Sequence, residues 1–164
     1  MIRYARFTSP LGTLLATAVD GALTSLNFID AKYTPPIGGD WIEDPVSPPL
    51  GNCARQLGEF FEGERGAFEL PLAPVGTPFQ KRVWQEIARV PFGETITYSQ
   101  LAQRAGFAAS ARAAGSATGR NPIAIVIPCH RIVGSNGNLT GYAGGLERKT
   151  KLLEIEGVLQ GSLV

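Results

Sequence analysis

The 164-residue chain contains one histidine and two cysteines, and these low counts exclude several classes of protein. A structural zinc site needs about four clustered ligands, which this set does not supply without unusual carboxylates. Two cysteines are also a poor basis for a disulfide framework, so we expect a reducing, cytoplasmic setting. No apolar run is long enough to span a bilayer, and residues 1–6 lack the apolar segment of a secretory signal. We therefore predict no metal, no cofactor and no membrane association.

Carboxylates are missing from a long part of the second half of the chain. Residues 1–75 contain five Lys/Arg and nine Asp/Glu, whereas residues 76–164 contain ten and five. No acidic residue occurs between Glu94 and Glu147. This stretch contains four arginines: Arg104, Arg112, Arg120 and Arg131. Such a pattern favours a surface that meets an anionic partner, although chance in a Gly/Ala-rich segment produces it too.

The first half of the chain has the pattern of a small antiparallel sheet followed by a helix. Polar and apolar residues alternate over three segments, 3–8, 12–19 and 22–29, and Asp20-Gly21 is a typical hairpin turn. A proline-rich connection leads to a helix that begins near Leu50 and contains Cys53, which we interpret as a packing residue. Residues 68–72 are predicted to form another short strand. A Pro/Gly linker then separates two predicted domains, 1–75 and 76–164.

The second half begins with two helices that have clear start signals. Thr77 with Gln80, and Thr97 with Gln100, each have the spacing of a capping box. After a stop at Gly106, the small residues of 109–119 predict another helix. Two helices joined by a tight glycine-containing turn indicate a helix-turn-helix, a motif that binds DNA in some proteins and nothing in others.

The apolar run 123–127 ends at Pro128-Cys129-His130, and it predicts a buried strand that presents a thiol. A cysteine becomes a good nucleophile only when a base or a positive charge lies nearby. His130 is a candidate base, and a carboxylate of the last predicted helix, Glu154 or Glu156, is a candidate to orient it. From these residues alone, an inert packing cysteine and a reactive one remain equally acceptable interpretations.

Three ordered motifs carry a family resemblance: Asn121-Pro122, Pro128-Cys-His-Arg131 and Gly141-Tyr-Ala-Gly-Gly145. With them, residues 77–157 strongly resemble the O6-alkylguanine-DNA alkyltransferase family. The resemblance implies an α+β fold (α/β two-domain). The N-terminal domain would be a small antiparallel-sheet (RNase H-like) domain, and the C-terminal domain would be mainly helical and contain the helix-turn-helix. It implies a monomer that binds double-stranded DNA through the minor groove and flips out an O6-alkylguanine, or an O4-alkylthymine. The alkyl group would then pass irreversibly to Cys129, once per protein molecule.

The resemblance also assigns roles to individual positions. His130 activates the thiol through a water molecule, Glu156 orients His130, and Asn121 fixes the turn of Cys129. Tyr98 assists nucleotide rotation, and Arg112 enters the base stack at the vacated position. The remaining predicted guanine-site residues are Ile132, Tyr142, Ala143 and Gly144. The remaining predicted DNA contacts are Ala113, Gly115 and Arg120.

Two other functions compete with alkyl transfer, and one departure from the family pattern affects substrate range. A protein that flips and flags alkylguanine without repairing it would lack a cysteine at position 129. A Cys-His hydrolase would need an oxyanion hole and would leave Arg112 and Asn121-Pro122 without a role. Some relatives have a larger apolar residue at the position of Thr118, so a roomier pocket that tolerates bulkier alkyl groups is expected here.

Overall fold

The structure is a computed structural model that describes residues 1–106 and 110–159. The chain divides into two compact units. One consists of Met1–Val75 with Pro122–Ala124, and the other of Gly76–Asn121 with Ile125–Val164. The first unit contains a sheet with one helix and the second is mainly helical, so the predicted α+β class is confirmed.

The first unit is built on a four-stranded sheet with the strand order β3-β2-β1-β4. The predicted antiparallel strands are present as β1 (Arg3–Phe7), β2 (Leu14–Val19) and β3 (Ala22–Phe28). Asp20 and Gly21 have φ values of 50° and 79°, as a two-residue hairpin of this type requires. The sequence pattern does not predict β4 (Ile42–Glu43), which pairs parallel to β1 and makes the sheet mixed.

Helix α1 (Leu50–Phe61) packs on β1 and β2 through residues at helical spacing. Cys53 lies on this buried face, and burial raises the pKa of its thiol to about 12, so it is an inert packing residue. The predicted strand at 68–72 is wrong: within it, only Leu72 forms an isolated bridge, to Leu23. Pro71 has no N–H to donate, which prevents a longer ladder there.

The second unit begins with α2 (Pro78–Ala88) and α3 (Tyr98–Arg104), and both predicted capping boxes are present. Gly106, with φ of 84°, follows the end of α3. The next helix, α4, spans Ala111–Gly119, and its predicted start at Ala109 lies outside the described residues. Helices α2, α3 and α4 pack on one another, and α3 and α4 are the two helices of the predicted helix-turn-helix. Residues 107–109 of its predicted turn lie outside the described residues.

Two short strands and a last helix complete the second unit. Strand β5 (Ile96–Thr97) pairs parallel to β6 (Ile132–Val133), which directly follows a 3₁₀ turn at Cys129–Arg131. Helix α5 (Leu146–Ile155) packs against this turn and is followed by Gly157, whose φ is 77°. The end of α5 therefore lies beside the residues that contain the thiol.

The buried run 123–127 is not the strand that its β-branched composition predicts. Ile123 forms only an isolated bridge to Leu26 of β3, and the chain then turns. Ile125 is 1% exposed and has a φ of 70°, a left-handed conformation that costs a β-branched residue about 1–3 kcal/mol. This backbone reversal ends the extended segment. The thiol is therefore presented by a turn rather than by a strand end.

Two kinds of feature are absent from residues 1–106 and 110–159. No helix in these ranges is both long and apolar enough to cross a membrane. No group of three or more His, Cys, Asp or Glu side chains in these ranges is arranged as a set of metal ligands.

Candidate active site

Cys129 is the first residue of the 3₁₀ turn, and it is 7% exposed. Its N–H donates to the carbonyl of Ile127 at 2.8 Å, and the N–H of Arg131 donates to the carbonyl of Pro128 at 2.9 Å. Pro128 fixes its own φ at −81°, which starts the turn immediately after the apolar run. The local sequence thus holds the sulfur in a short, closed turn.

Asn121 links the end of the helix-turn-helix to this turn. It lies two residues beyond α4 and is 6% exposed. Its Nδ2 donates to the carbonyl of Ile127 at 2.8 Å, and its side chain also hydrogen-bonds to Cys129. Burial raises the pKa of the Cys129 thiol, while the Asn121 hydrogen bond and the charge of Lys149 act in the opposite direction. Both groups therefore favour the thiolate in a site that otherwise disfavours it.

His130 and Glu156 form a fully enclosed pair beside the thiol. His130 Nε2 lies 2.6 Å from Glu156 Oε2, and neither side chain is exposed. Glu156 follows the last turn of α5, so the packing of α5 on the 3₁₀ turn places this carboxylate. The structure thus brings together His130 and Glu156, the two residues predicted to act as base and orienting group. It pairs Glu156, rather than Glu154, with the imidazole.

Arg131 completes the pair as a buried cation. Its Nε donates to Glu156 Oε1 at 2.8 Å and its Nη2 donates to Oε2 at 2.9 Å, a bidentate arrangement. Its Nη1 donates to the carbonyl of Val90 at 2.6 Å. The backbone N–H of Gly93 adds a longer hydrogen bond of 3.3 Å to Oε1. The carboxylate therefore accepts from four donors on two parts of the unit, the 3₁₀ turn and the segment after α2.

These contacts determine the protonation states of the pair. Burial by itself would raise the pKa of Glu156, but hydrogen bonds from His130 and Arg131 outweigh it and lower the pKa to about 2. Burial lowers the pKa of His130, and because Arg131 already balances the carboxylate charge, the imidazole is neutral at pH 7. An ionised Glu156 can only accept, so Nε2 must carry the hydrogen. Nδ1 is then the basic nitrogen, and it has no hydrogen-bond partner in the described part of the chain.

Lys149 supplies a second buried cation next to the thiol. This α5 residue is 0% exposed, and its Nζ donates to the carbonyls of Ile132, Thr140 and Gly141 at 2.5, 2.9 and 3.4 Å. Burial lowers its pKa to about 8. Lys149 therefore joins β6 to the glycine-rich segment, residues 140–145. It also adds a positive charge that favours the Cys129 thiolate.

Two of the predicted guanine-site residues, Tyr98 and Ile132, lie against this lysine. Tyr98 donates its hydroxyl to the carbonyl of Thr140 at 3.0 Å, and its ring lies 5.8 Å from Lys149 Nζ. Tyr142 has an enclosed hydroxyl with no hydrogen-bond partner in the described ranges, and burial raises its pKa well above the usual value. Ile132 is fully buried, and both its backbone N–H and its carbonyl are hydrogen-bonded within the unit. Ala143 and Gly144 are half-buried in the glycine-rich segment.

The predicted DNA contacts differ in their surroundings along α4. Arg112 and Ala113 are exposed near its start, and Arg120 is exposed just after its end. Gly115 faces α3, where a methyl group at its position would lie 3.6 Å from the Tyr98 ring. Thr118 is 6% exposed, and its hydroxyl donates back to the carbonyl of Ala114 at 2.7 Å.

Sequence reasoning assigned no role to Lys149 and counted Arg131 among the cations of a surface that meets an anionic partner, which is wrong for Arg131 because its guanidinium is buried against Glu156. Both are cations whose importance comes from burial: Arg131 is 5% exposed and Lys149 is 0% exposed. An arginine directly after Cys-His was a usable signal, because it lies in the same motif as the predicted base. Lys149 gave no comparable signal, since on an amphipathic helix a lysine is usually solvated.

Comparison with known proteins first defines the class. Residues 2–74 match the family model described as "6-O-methylguanine DNA methyltransferase, ribonuclease-like domain". Residues 78–158 match the model described as "6-O-methylguanine DNA methyltransferase, DNA binding domain". The chain is thus a two-domain protein with a DNA-binding half. It belongs to the 6-O-methylguanine DNA methyltransferase family, which confirms the resemblance.

Individual relatives extend over nearly the whole chain. Two are named "Methylated-DNA--protein-cysteine methyltransferase". The one from Mycolicibacterium paratuberculosis is 44% identical and covers 95% of this chain and 93% of its own length. The one from Methanosarcina acetivorans is 44% identical, with 94% and 97% covered. A crystal structure titled "Mycobacterium tuberculosis OGT in complex with DNA" superposes with a TM-score of 0.87 at 40% identity, covering 94% and 92%.

Proposed function

We propose that the chain repairs DNA by transferring the alkyl group of O6-alkylguanine, and of O4-alkylthymine, to Cys129. Family membership supports alkyl-transfer repair as the activity. The observation that carries the assignment to Cys129 is the buried His130–Glu156–Arg131 arrangement beside this thiol. The other cysteine, Cys53, lies in the sheet unit and has a thiol pKa of about 12.

The reaction is a displacement at the alkyl carbon. Sγ of Cys129 forms a bond to this carbon as the carbon–O6 bond breaks, and the electron pair of that bond stays on the guanine. The thiol proton leaves toward Nδ1 of His130, through a bridging water as the resemblance implies, and the guanine gains one proton. The products are unmodified guanine and S-alkylcysteine. A thioether is a poor leaving group, so each molecule reacts once.

The charges around the turn support this chemistry without a cofactor. Nδ1 of a neutral imidazole accepts a proton, and the ionised Glu156 stabilises the imidazolium that results. Lys149 and Asn121 favour the thiolate before attack. Arg131 is a positioning residue: it holds Glu156 ionised and correctly oriented, and it does not touch the reacting atoms.

DNA binding is assigned to the helix-turn-helix, with α4 in the minor groove. Arg112, exposed near the start of α4, fills the stack position that the flipped base leaves. Ala113 and Gly115 allow α4 to approach the sugar-phosphate backbone closely, and Arg120 contacts a phosphate. The flipped base then lies between Tyr98 and the glycine-rich segment that contains Tyr142. We also propose a cytoplasmic setting, since both cysteines are free thiols, and a monomer, as the resemblance implies.

A transfer assay with three forms of the protein tests the proposal. A duplex containing O6-methylguanine is incubated with the wild type, Cys129→Ser or the control Cys53→Ala. Restored guanine is measured against the amount of protein. We expect one guanine per wild-type or Cys53→Ala molecule and none with Cys129→Ser. Repair by Cys129→Ser contradicts the nucleophile assignment, and binding without repair by the wild type indicates the flagging function.

A further inference from the structure

A basic groove lies on the surface of the layer formed by α2, α3 and α4. None of the residues described above around the thiol lines it. It has a volume of about 330 Å³ and runs between α2 and the end of α3. Its charged lining residues in the described part of the chain are Lys81, Arg82, Glu86, Arg89 and Arg104. Four cations thus face one carboxylate. Glu86 lies 3.3 Å from Arg89 on the same helix, so this one carboxylate offsets one of the four cations.

Helix stability explains only part of this cluster. Arg104 lies in the last turn of α3, and Arg82 reaches the same end, where its Nη2 would be 3.2 Å from a methyl group added at Gly106. Cations are favoured at a helix C-terminus. Lys81 lies at the opposite end of α2, just after the capping box, where the helix dipole disfavours a cation. Helix stability therefore does not explain its position.

The spacing of the cations matches a nucleic-acid backbone. Lys81 and Arg89 are eight residues apart on α2, which corresponds to about 12 Å along the helix. A DNA strand advances about 3.4 Å per phosphate along the duplex axis and also winds around it, so this distance spans at most about three phosphate steps. Arg104 adds a third cation from α3.

The groove lies on two helices of the unit that also contains α4, the helix assigned to DNA. Helix α2 packs on α4, which contains Arg112, and Arg104 ends the helix that leads into α4. We propose that this groove binds the sugar-phosphate backbone of the same DNA duplex, beyond the segment that α4 contacts. This inference rests on the proposed function, which supplies the DNA partner. The groove positions the duplex and takes no part in alkyl transfer.

The test compares two double variants that remove the same charges from different places. Lys81→Gln/Arg104→Gln removes one lysine and one arginine from the groove. The matched control, Lys32→Gln/Arg55→Gln, removes one of each from exposed positions of the sheet unit. Duplex affinity is measured over a range of salt concentrations, and alkyl transfer from free O6-methylguanine base is measured in parallel. Thermal unfolding of both variants verifies that each is folded.

Each lost phosphate contact makes the slope of log affinity against log salt shallower by about 0.9. The groove variant should therefore show a slope shallower by about 2, and an affinity about 10- to 100-fold weaker at about 0.1 M salt. Its reaction with the free base should equal that of the wild type. An unchanged slope, or a change equal to that of the control pair, overturns the inference. Failure of the wild type to accept an alkyl group from either substrate overturns the proposed function instead.

Discussion

Replacing Glu156 by glutamine tests the arrangement around the thiol most severely, because the change keeps shape and removes charge. The new amide group can donate to His130 Nε2, which would move the ring hydrogen to Nδ1 and abolish the base. It can instead present its oxygen to His130, and its NH₂ group then faces the Arg131 guanidinium. In either orientation, Arg131 stays buried without its counter-charge.

The magnitude follows from the pKa of the carboxyl. A fall from 4.5 to about 2 means that folding stabilises the ionised form by about 3 kcal/mol, at about 1.4 kcal/mol per pKa unit. Glu156→Gln should therefore lose about 3 kcal/mol at pH 7, or about 6–12 °C in Tm for a chain of this length. Because the folded-state pKa is depressed, this contribution is complete above pH 4.5 and disappears as the pH falls toward 2. The first orientation is expected, because it gives the NH₂ group an acceptor, so the transfer rate should fall by about 10³–10⁴-fold, as when a base has the wrong tautomer.

Single-turnover transfer from a duplex and thermal unfolding at several pH values measure both effects. Glu154→Gln, two residues earlier on α5 and half-buried, is the matched control and should change neither quantity by much. A Glu156→Gln variant that transfers alkyl groups at the wild-type rate refutes the role of the pair. So does a difference in stability from the wild type that stays constant between about pH 5 and pH 2.

Three further variants test other parts of the site. Lys149→Met should lower the transfer rate by about tenfold or more at pH 7 by removing a cation that favours the thiolate. Burial lowers the Lys149 pKa to about 8, so the wild-type transfer rate should lose the benefit of this charge as the pH rises through about 8. A Lys149→Met variant whose transfer rate falls in the same way over this pH range contradicts the assignment. Arg112→Ala should slow repair of duplex DNA by about tenfold or more and leave reaction with the free base unchanged, because only duplex has a stack to fill; equal losses on both substrates count against that role. Arg131→Met should destabilise the protein by about 3–5 kcal/mol in thermal unfolding, since it leaves the Glu156 carboxylate buried without its main partner; a variant as stable as the wild type shows that Arg131 does not hold the carboxylate.

Local signals predicted much of the fold correctly. The hairpin at Asp20-Gly21 and the two capping boxes depend on contacts within a few residues, and all three are present. The run 123–127 shows the limit of such signals. Its composition favours a strand, but tertiary packing holds Ile125 in a left-handed conformation that its side chain disfavours, and propensity cannot predict that outcome.

The site was predictable to a similar extent. The motif places Cys129 next to His130, but the residues alone left Glu154 and Glu156 open, because either helix position can face the turn. The roles of Arg131 and Lys149 arise from burial against acceptors 25 residues and 8 to 17 residues away along the chain. Such a long-range pairing leaves no local pattern for Lys149, and for Arg131 it leaves only the position directly after Cys-His.

The central claim is that one alkyl group moves from guanine to Cys129 and stays there. Mass spectrometry of intact protein and of its peptides, after reaction with excess duplex containing O6-methylguanine, measures this directly. We expect one added methyl group per molecule, located on the peptide that contains Cys129, with no further repair on longer incubation. A methyl group on Cys53, or continued repair by unmodified protein, would contradict it.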